Sequence, residues 1–296
     1  KGERLFILTH TSIATADYPS VWETADFVLH ELQIGKRTIR CVLHHPYEHG
    51  HGSADMYRII EQSCNIGAAG TAFKLGAEKL YSYEKAFGLL EPTQSGIPGE
   101  SCGWMDKPEN WADIRLANIG FGQGISVTPL QMVTAYAAVA NDGVLMRPML
   151  IKDIRDADGK PVRKFSPVQV RQVISPTTAG DVARMLVGCV ENGSGKPAQV
   201  DGYWVAGKTG SAQKVAEGGR GYAAGRFIAS FIGFLPAYQP RVAIAVVVDE
   251  PQGSHWGATT AAPVFQEIAQ RTMWYLRVPP DRPVKTEGQA GKPGGA

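Results

Sequence analysis

Two apolar, β-branched runs decide the fold, and both lie in residues 226–251, which read "RFIASFIGFLPAYQPRVAIAVVVDEP". Runs rich in Ile, Val and Phe that are bounded by Gly or Pro are typical of β-strands. Only "LPAYQPR" separates "FIASFIGF" from "VAIAVVVDE". Parallel strands need a crossover of about a dozen residues or more, so this short connection predicts an antiparallel pair.

The stretch before these strands, "DGYWVAGKTGSAQK" at 201–214, has two incompatible interpretations. Residues 202–209 match the phosphate-binding pattern G-x-x-x-x-G-K-S/T, and "VAIAVVVDE" resembles the magnesium-binding strand of P-loop ATPases. A phosphate loop leads into a helix whose N-terminus binds the anion. The residues after Lys208 instead read "TGSAQKVAEGGRGYAAGR", with five glycines and no apolar stripe. This argues against a nucleotide site, and Asp249-Glu250 is predicted to end a strand.

The second interpretation is a carboxylate site. Lys208-Thr209-Gly210 matches the K-T-G motif of serine acyltransferases that bind penicillin. A strand edge that carries Lys208, Thr209 and Ser211 is predicted to point one ammonium and two hydroxyls toward one groove. Such groups bind a carboxylate through charge-assisted hydrogen bonds. A surface strand with an incidental lysine is the alternative.

Ser63-Cys64-Asn65 resembles a second motif of the same acyltransferases, S-D-N, with Cys in the middle position. Cys64 is predicted to point away from the groove as an inert, buried thiol. Ser63 would relay a proton to a leaving amine, and Asn65 would bind a substrate amide. The alternative is that Ser63 or Asn65 only caps a helix.

A longer series of motifs occurs in order along the chain: "IGKRTIRC", "EQSCNIGAAGTAFKLG", "FGLLEPTQSGIPGE", "NIGFGQGISVTPLQMVTAYAAVANDG", "VAGKTGSAQK" and "FIASFIGFLPAYQPRVAIAVVVDEP". This series closely resembles the transpeptidase domain of class B penicillin-binding proteins. The resemblance implies an α/β (α+β) fold of the β-lactamase/transpeptidase type, an antiparallel sheet flanked by helices beside a mostly helical lobe. It divides the chain into a divergent or truncated segment (1–33) and the transpeptidase domain (34–278), and the Pro- and Gly-rich tail (279–296) is predicted to be disordered.

The resemblance also implies a function, peptidoglycan D,D-transpeptidation by serine acyl transfer, with stem peptides as substrates and β-lactams as inhibitors. The matching catalytic positions are Ser63, Asn65 and Lys208, and the substrate-binding positions are Thr209, Gly210 and Ser211. No cofactor or metal is expected. The implied location is the extracytoplasmic face of the cell membrane, with an anchor in the parent protein and divisome or elongasome proteins as partners.

The family's first motif, S-x-x-K, is not recognisable in its expected place before Ser63. Ser82–Lys85 and Ser211–Lys214 match its letters, but both follow Ser63 in the chain. The chain as given is therefore expected not to acylate. A non-catalytic cell-wall or divisome binding homologue and a β-lactamase of the same fold are the alternatives.

Composition excludes several other classes of function. A net charge of +2 gives no electrostatic case for nucleic-acid binding. The cysteines (Cys41, Cys64, Cys102 and Cys189) are too widely spaced for a zinc site, and we expect buried free thiols or one disulfide. The histidines of "HHPYEHGHG" (residues 44–52) suggest a metal, although a solvated loop is the expected structure.

Periodicity and capping signals predict the helices. Residues 54–76 are predicted to be helical with interruptions at Gly67 and Gly70, whereas 91–126 are expected to be irregular. Thr128 is predicted to cap a helix through a capping box with Gln131. The last helix is predicted to place Val264, Phe265, Ile268 and Tyr275 on one face.

Overall fold

A three-stranded antiparallel sheet is the centre of the molecule. The computed structural model describes residues 31–41, 54–216 and 221–283. The central sheet has the order β7 (Ala206–Val215), β8 (Tyr222–Leu235), β9 (Val242–Asp249). In its register Lys208 lies opposite Ile232, and Ile228 lies opposite Asp249. The antiparallel pairing predicted from the short "LPAYQPR" connection is confirmed.

Along the chain, all other helices and strands come before the central sheet, except the last helix, which follows it. The helices are α1 (Met56–Glu61), α2 (Asn65–Leu75), α3 (Ala77–Ala86), α4 (Asp113–Gly120), α5 (Pro129–Ala140), α6 (Pro176–Glu191) and α7 (Gly257–Tyr275). Short 3₁₀ turns cover Pro108–Asn110 and Lys196–Ala198. Two-stranded sheets are formed by β1 (Glu31–Ile34) with β2 (Arg37–Arg40), β3 (Val144–Met146) with β6 (Gln169–Gln172), and β4 (Asp153–Arg155) with β5 (Pro161–Lys164).

Helices cover both faces of the central sheet. The strand period of two sends Ile228 and Ile232 to one face, where they pack with residues of α5 and α6. Phe231 and Leu235 point to the other face, toward α7. There the rings of Phe231 and Phe265 lie 4.6 Å apart. The central strands are therefore buried on both sides, as their nearly continuous apolar sequences require.

The buried face of α7 differs from the prediction. Phe265 is buried, but Val264 and Ile268 are exposed and Tyr275 is 85% exposed. The buried row is instead Ala261, Phe265, Ala269 and Met273. These residues are spaced by four and lie along one side of a helix. Ala261 and Ala269 alternate in this row with the larger Phe265 and Met273, and all four are fully buried.

The predicted helix over 54–76 is broken at 62–64, and the prediction of breaks at Gly67 and Gly70 was wrong. Both glycines lie inside α2, where a Cβ on Gly67 would be 2.5 Å from Ile59 Cγ1. Gly67 therefore permits close packing between α1 and α2. The break at 62–64 turns the chain so that α2 starts beside the site described below.

The expectation that 91–126 is irregular was also wrong in part, because α4 lies within it. Leu116, Ala117 and Ile119 are buried in this helix. A Cβ on Gly120 would be 2.6 Å from the Cβ of Ala72, so the glycine allows α4 to pack closely against α2. Tertiary contacts stabilise this helix of eight residues. The glycines and prolines around it in the sequence led to the prediction of irregular structure.

The capping box of α5 is confirmed. Gln131 N donates to Thr128 Oγ1 at 3.1 Å, and Thr128 N donates to Gln131 Oε1 at 2.8 Å. The same Gln131 side chain donates to the carbonyls of Gly88 and Glu91. This cap therefore also joins α5 to the segment that follows α3.

Within the described residues, no helix is long and apolar enough to span a membrane.

After α7, Asp281 accepts a hydrogen bond from Trp204 N at 2.9 Å. Residues 284–296 of the predicted tail lie outside the described residues, as do residues 1–30 of the N-terminal segment.

We predict that Thr128→Ala lowers the free energy of unfolding by about 1 kcal/mol, because Gln131 N loses its acceptor. Denaturant unfolding of the purified chain measures this change. Thr128→Ser keeps a hydroxyl acceptor and is the control. An equal loss in both variants would contradict the capping explanation.

Candidate active site

The turn before α2 and strand β7 face each other across a cavity of about 830 Å³. This volume is in the range of ligand sites. The turn after α4, the turn after α6, Phe227 of β8 and the start of α7 complete its walls. The hydroxyl and amide side chains that line it are Gln62, Ser63, Asn65, Gln123, Asn192, Ser194, Thr209, Ser211, Gln213 and Thr259.

Lys208 joins the two sides. Its side chain is 4% exposed, and its Nζ donates to Ser63 Oγ, to Thr209 O at 3.2 Å and to Thr209 Oγ1 at 3.4 Å. The structure thus brings the two predicted motifs into direct contact. An ammonium has three donors, and three oxygens accept from this one.

The predicted orientation of the K-T-G strand needs one correction. The side chains of Thr209, Ser211 and Gln213 line the cavity, as the strand period requires. Lys208 does not line it, because its position in the strand directs it to the opposite, buried side. Only its ammonium group contacts Ser63, at the edge of the cavity.

Burial perturbs the Lys208 ammonium. It lowers the pKa of Lys208 below the ordinary value of 10.5, and the nearby Cys189 thiol opposes this change. Removal of a charge from water disfavours the charged form. The neutral amine is thus more accessible than in an exposed lysine, and a neutral amine can accept a proton.

Ser63 has an unusual backbone conformation, with φ of 52°. This left-handed region is uncommon for residues other than glycine and costs of order 1–3 kcal/mol. The turn is fixed by hydrogen bonds from Ser63 N to Ile60 O at 3.2 Å and from Cys64 N to Ile59 O at 2.9 Å. It presents the Ser63 hydroxyl to Lys208 and the cavity.

Cys64, rather than Ser63 or Asn65, caps α2. The Cys64 sulfur accepts from Gly67 N at 3.3 Å, and the side chain is buried as predicted. Asn65 Nδ2 donates to Arg40 O at 3.3 Å, which orients the amide at the wall of the cavity. The capping alternative for Ser63 and Asn65 is therefore wrong.

Two further contacts hold the hydroxyls of β7. Thr209 Oγ1 lies 2.8 Å from Ser194 Oγ, and Ser211 Oγ accepts from Gly257 N at 2.9 Å. Gly210 has no space for a side chain, since a Cβ there would be 2.4 Å from Ser230 Oγ. Gly257 also lies against β7, with a Cβ position 2.5 Å from Gly210 O. The two glycines let α7 and β8 approach the strand that carries the site.

Comparison with known proteins places this arrangement in a family. Residues 30–270 match the penicillin binding protein transpeptidase domain. This chain belongs to that family. Over 233 residues it is 40% identical to stage V sporulation protein D of Bacillus subtilis, a match that covers 78% of the chain and 36% of the relative. The chain thus spans little more than a third of that protein.

Solved structures of class B proteins of the transpeptidase family agree. The transpeptidase domain of Burkholderia pseudomallei penicillin-binding protein 3 is 32% identical, with a TM-score of 0.78 over 93% of this chain and 78% of that one. Penicillin-binding protein 3 of Mycobacterium tuberculosis, in complex with aztreonam, is 32% identical with a TM-score of 0.80, over 96% of this chain and 65% of that one. The predicted family and fold class are confirmed.

Neither match to S-x-x-K forms a serine–lysine pair in the cavity of this transpeptidase-family chain. Ser82 is exposed, and its hydroxyl donates to Lys79 O at 2.8 Å, away from the cavity. Ser211 lines the cavity, but Lys214 is bound to Asp249 at 2.9 Å and Glu250 at 2.8 Å. Among the described residues, no such pair has both side chains in the site.

The nucleotide interpretation also fails in the structure, because Lys208 and Thr209 lie within a strand rather than before a helix. Asp249 is the last residue of β9, as predicted. Hydrogen bonds from Arg226 and then Lys214 lower the pKa of Glu250 to about 2. The acidic pair therefore binds two side-chain cations.

Neither the histidine-rich segment nor the four cysteines is expected to bind a metal. No group of three or more metal-binding side chains occurs within 31–41, 54–216 and 221–283. The histidines at 44–51 lie outside the described residues. Cys41, Cys64 and Cys189 are buried and form no disulfide, whereas Cys102 is exposed, contrary to the expectation for buried thiols.

Ser194 and the aromatic wall were not predicted. The ring of His255 stacks on Phe227 at 4.1 Å and lies 4.4 Å from Trp256, and all three residues line the cavity. In the sequence, Ser194 was only part of a glycine-rich helix exit. His255 and Trp256 carry no motif, so only the fold shows their place.

We predict that Lys208→Met changes how stability depends on pH. A lowered folded-state pKa means that the charged lysine destabilises the fold below that pKa, and that the penalty disappears as the pH rises toward 10.5. The stability of the natural chain relative to Lys208→Met should therefore increase from neutral pH to about pH 10. Denaturant midpoints of both proteins measure this difference, with Lys85→Met as the control for loss of an exposed lysine. A difference that is constant with pH would contradict the prediction.

Proposed function

We propose that this chain is part of a peptidoglycan D,D-transpeptidase domain and binds the D-alanyl-D-alanine end of a stem peptide in the cavity. The observation that carries the proposal is the contact between Lys208 and Ser63, which joins the K-T-G and S-x-N motifs at a cavity lined by hydroxyls. Named peptidoglycan D,D-transpeptidases among the relatives, such as that of Neisseria gonorrhoeae at 34% identity, support this reaction class.

In this proposal the terminal carboxylate of the stem peptide binds to the hydroxyls of Thr209 and Ser211. Both hydroxyls already have protein partners that fix their positions. The Lys208 ammonium beneath them supplies positive charge that stabilises the bound anion. The Asn65 amide binds the peptide backbone, and Gly210 lets β8 approach the strand that carries the two hydroxyls.

Ser63 and Lys208 act on protons. When the peptide bond breaks, the departing D-alanine amine needs a proton, and Ser63 can deliver one through its hydroxyl. Lys208 donates to the Ser63 oxygen and so stabilises the negative charge that this delivery leaves. In this proposal, a serine other than Ser82 and Ser211 carries the acyl group.

The setting that we propose follows from the substrate. Peptidoglycan is assembled outside the cytoplasm, so we place the domain at the extracytoplasmic face of the membrane in a membrane-anchored parent protein. Cell-division or elongation proteins are the proposed partners. The aztreonam and ampicillin complexes of the M. tuberculosis relative support β-lactam binding by this chain.

A binding homologue without catalysis is the second candidate, favoured by the absence of an S-x-x-K pair from the described part of the cavity. A fluorescent penicillin distinguishes the candidates. A covalent label supports a transpeptidase, reversible occupancy supports a binding module, and release of hydrolysed penicillin supports a β-lactamase. With this chain alone we expect reversible occupancy, and with the parent protein a covalent label.

We predict that Thr209→Val lowers the affinity of the chain for penicillin by about tenfold, because one charge-assisted hydrogen bond to the ligand carboxylate is lost. Valine has nearly the shape of threonine, and Lys208 keeps its contacts with Ser63 Oγ and with the backbone carbonyl of residue 209, so the fold should persist. Fluorescence anisotropy with a labelled penicillin measures the affinity. Ser82→Ala, which removes an exposed hydroxyl outside the cavity, is the control. An unchanged affinity in Thr209→Val would refute the carboxylate site.

A further inference from the structure

Two thiols lie in contact directly behind the S-x-N motif. Cys41 follows β2 and Cys64 precedes α2, and their sulfur atoms are 3.3 Å apart. Both residues are buried, with 8% and 6% exposure, and neither forms a disulfide in the structure. They belong to one apolar cluster, together with Ile39, Ile59 and Ile66. Two cysteines that contact each other through their sulfurs are placed for a disulfide with a small movement, since that bond is about 2.05 Å long.

Backbone N–H groups point at both sulfurs. Ile66 N donates to Cys41 Sγ at 3.4 Å, and Gly67 N donates to Cys64 Sγ at 3.3 Å. Such groups at a helix N-terminus stabilise a thiolate, which is the form that attacks a disulfide. In opposition, the hydrogen bond with Cys41 and burial raise the pKa of the Cys64 thiol. Few thiolates exist at neutral pH, so we expect oxidation that is slow without a disulfide donor.

We propose that Cys41 and Cys64 are a disulfide site, oxidised by exchange with an external disulfide. One thiolate attacks a sulfur of the donor and releases one donor thiol. The second cysteine thiolate then attacks the mixed disulfide and releases the other. Two electrons pass from the cysteines to the donor, whose two sulfurs leave as thiols with the two protons. The product is one Cys41–Cys64 bond.

The bond would affect the site, and this consequence rests on the proposed function. Cys64 lies between Ser63, which accepts from Lys208, and Asn65, which donates to Arg40 O beside Cys41. To form the bond the sulfurs must approach by about 1.3 Å from their separation of 3.3 Å. The movement of Cys64 toward β2 takes the Ser63 turn with it. We therefore expect the oxidised domain to bind penicillin more weakly than the reduced domain.

Mass spectrometry tests the bond itself. The full chain is incubated with oxidised or reduced glutathione, and free thiols are alkylated before digestion. We expect one cross-linked peptide pair containing Cys41 and Cys64, and the loss of two hydrogen atoms from the whole chain. Cys189→Ser and Cys102→Ser should keep this pair, since Cys189 is buried with its Sγ donating to Ile60 O and Cys102 is exposed. Full alkylation of both Cys41 and Cys64 after oxidation would overturn the proposal.

Penicillin binding tests the consequence for the site. We expect occupancy by labelled penicillin to fall at least threefold after oxidation of the natural chain, and to stay constant in Cys41→Ala, which cannot form the bond. Equal occupancy of the oxidised and reduced natural chain would overturn the link to the site. Absence of binding in both states would contradict the proposed function, while the peptide map still decides whether the disulfide forms.

Discussion

The hydrogen bond between the buried ammonium of Lys208 and the hydroxyl of Ser63 is the contact on which the site depends. Burial of an unpaired ammonium costs several kcal/mol, so the fold must supply oxygen acceptors around it. Two of these acceptors belong to Thr209, the next residue in the strand, and the third comes from the helical lobe. Lys208 therefore links the helical lobe to the sheet at the edge of the cavity.

The sequence predicted those parts of the fold that depend on local chemistry. The short connection between β8 and β9 required antiparallel pairing, and the cap of α5 could be predicted from Thr128 and Gln131 alone. The errors share a cause, which is packing between elements far apart in the chain. Gly67 and Gly120 resemble helix breakers in a sequence, but here each permits a close contact between helices. Likewise, the apolar residues Val264 and Ile268 predicted a buried face, although the face of α7 that is buried carries Ala261, Phe265, Ala269 and Met273.

The candidate site divides in the same way. Motif letters identified the residues that are adjacent in the chain, Ser63 with Asn65 and Lys208 with Thr209. The strand period alone places the Lys208 side chain on the other side of β7 from Thr209 and Ser211. The structure shows that this long side chain still brings its ammonium to Ser63 at the edge of the cavity. Ser194 could not be found from the sequence, because its role depends on the turn after α6 passing next to β7. A hydroxyl in a glycine-rich turn is common and carries no signal until its neighbour is known.

The hydroxyls of the cavity share an arrangement that explains why an anion is the expected ligand. Each oxygen is approached by a donor of the protein: Lys208 Nζ for Ser63 and Thr209, and Gly257 N for Ser211. A hydroxyl that accepts from the protein still has its own proton to donate. For Ser63 and Ser211 that proton has no acceptor fixed by these contacts, and for Thr209 it is shared with Ser194. The left-handed backbone of Ser63 costs conformational energy, and it places one more hydroxyl donor at the cavity. These hydroxyls accept hydrogen bonds from protein N–H groups and can donate their own protons to a ligand. Such a site is complementary to a carboxylate and poorly matched to a cation.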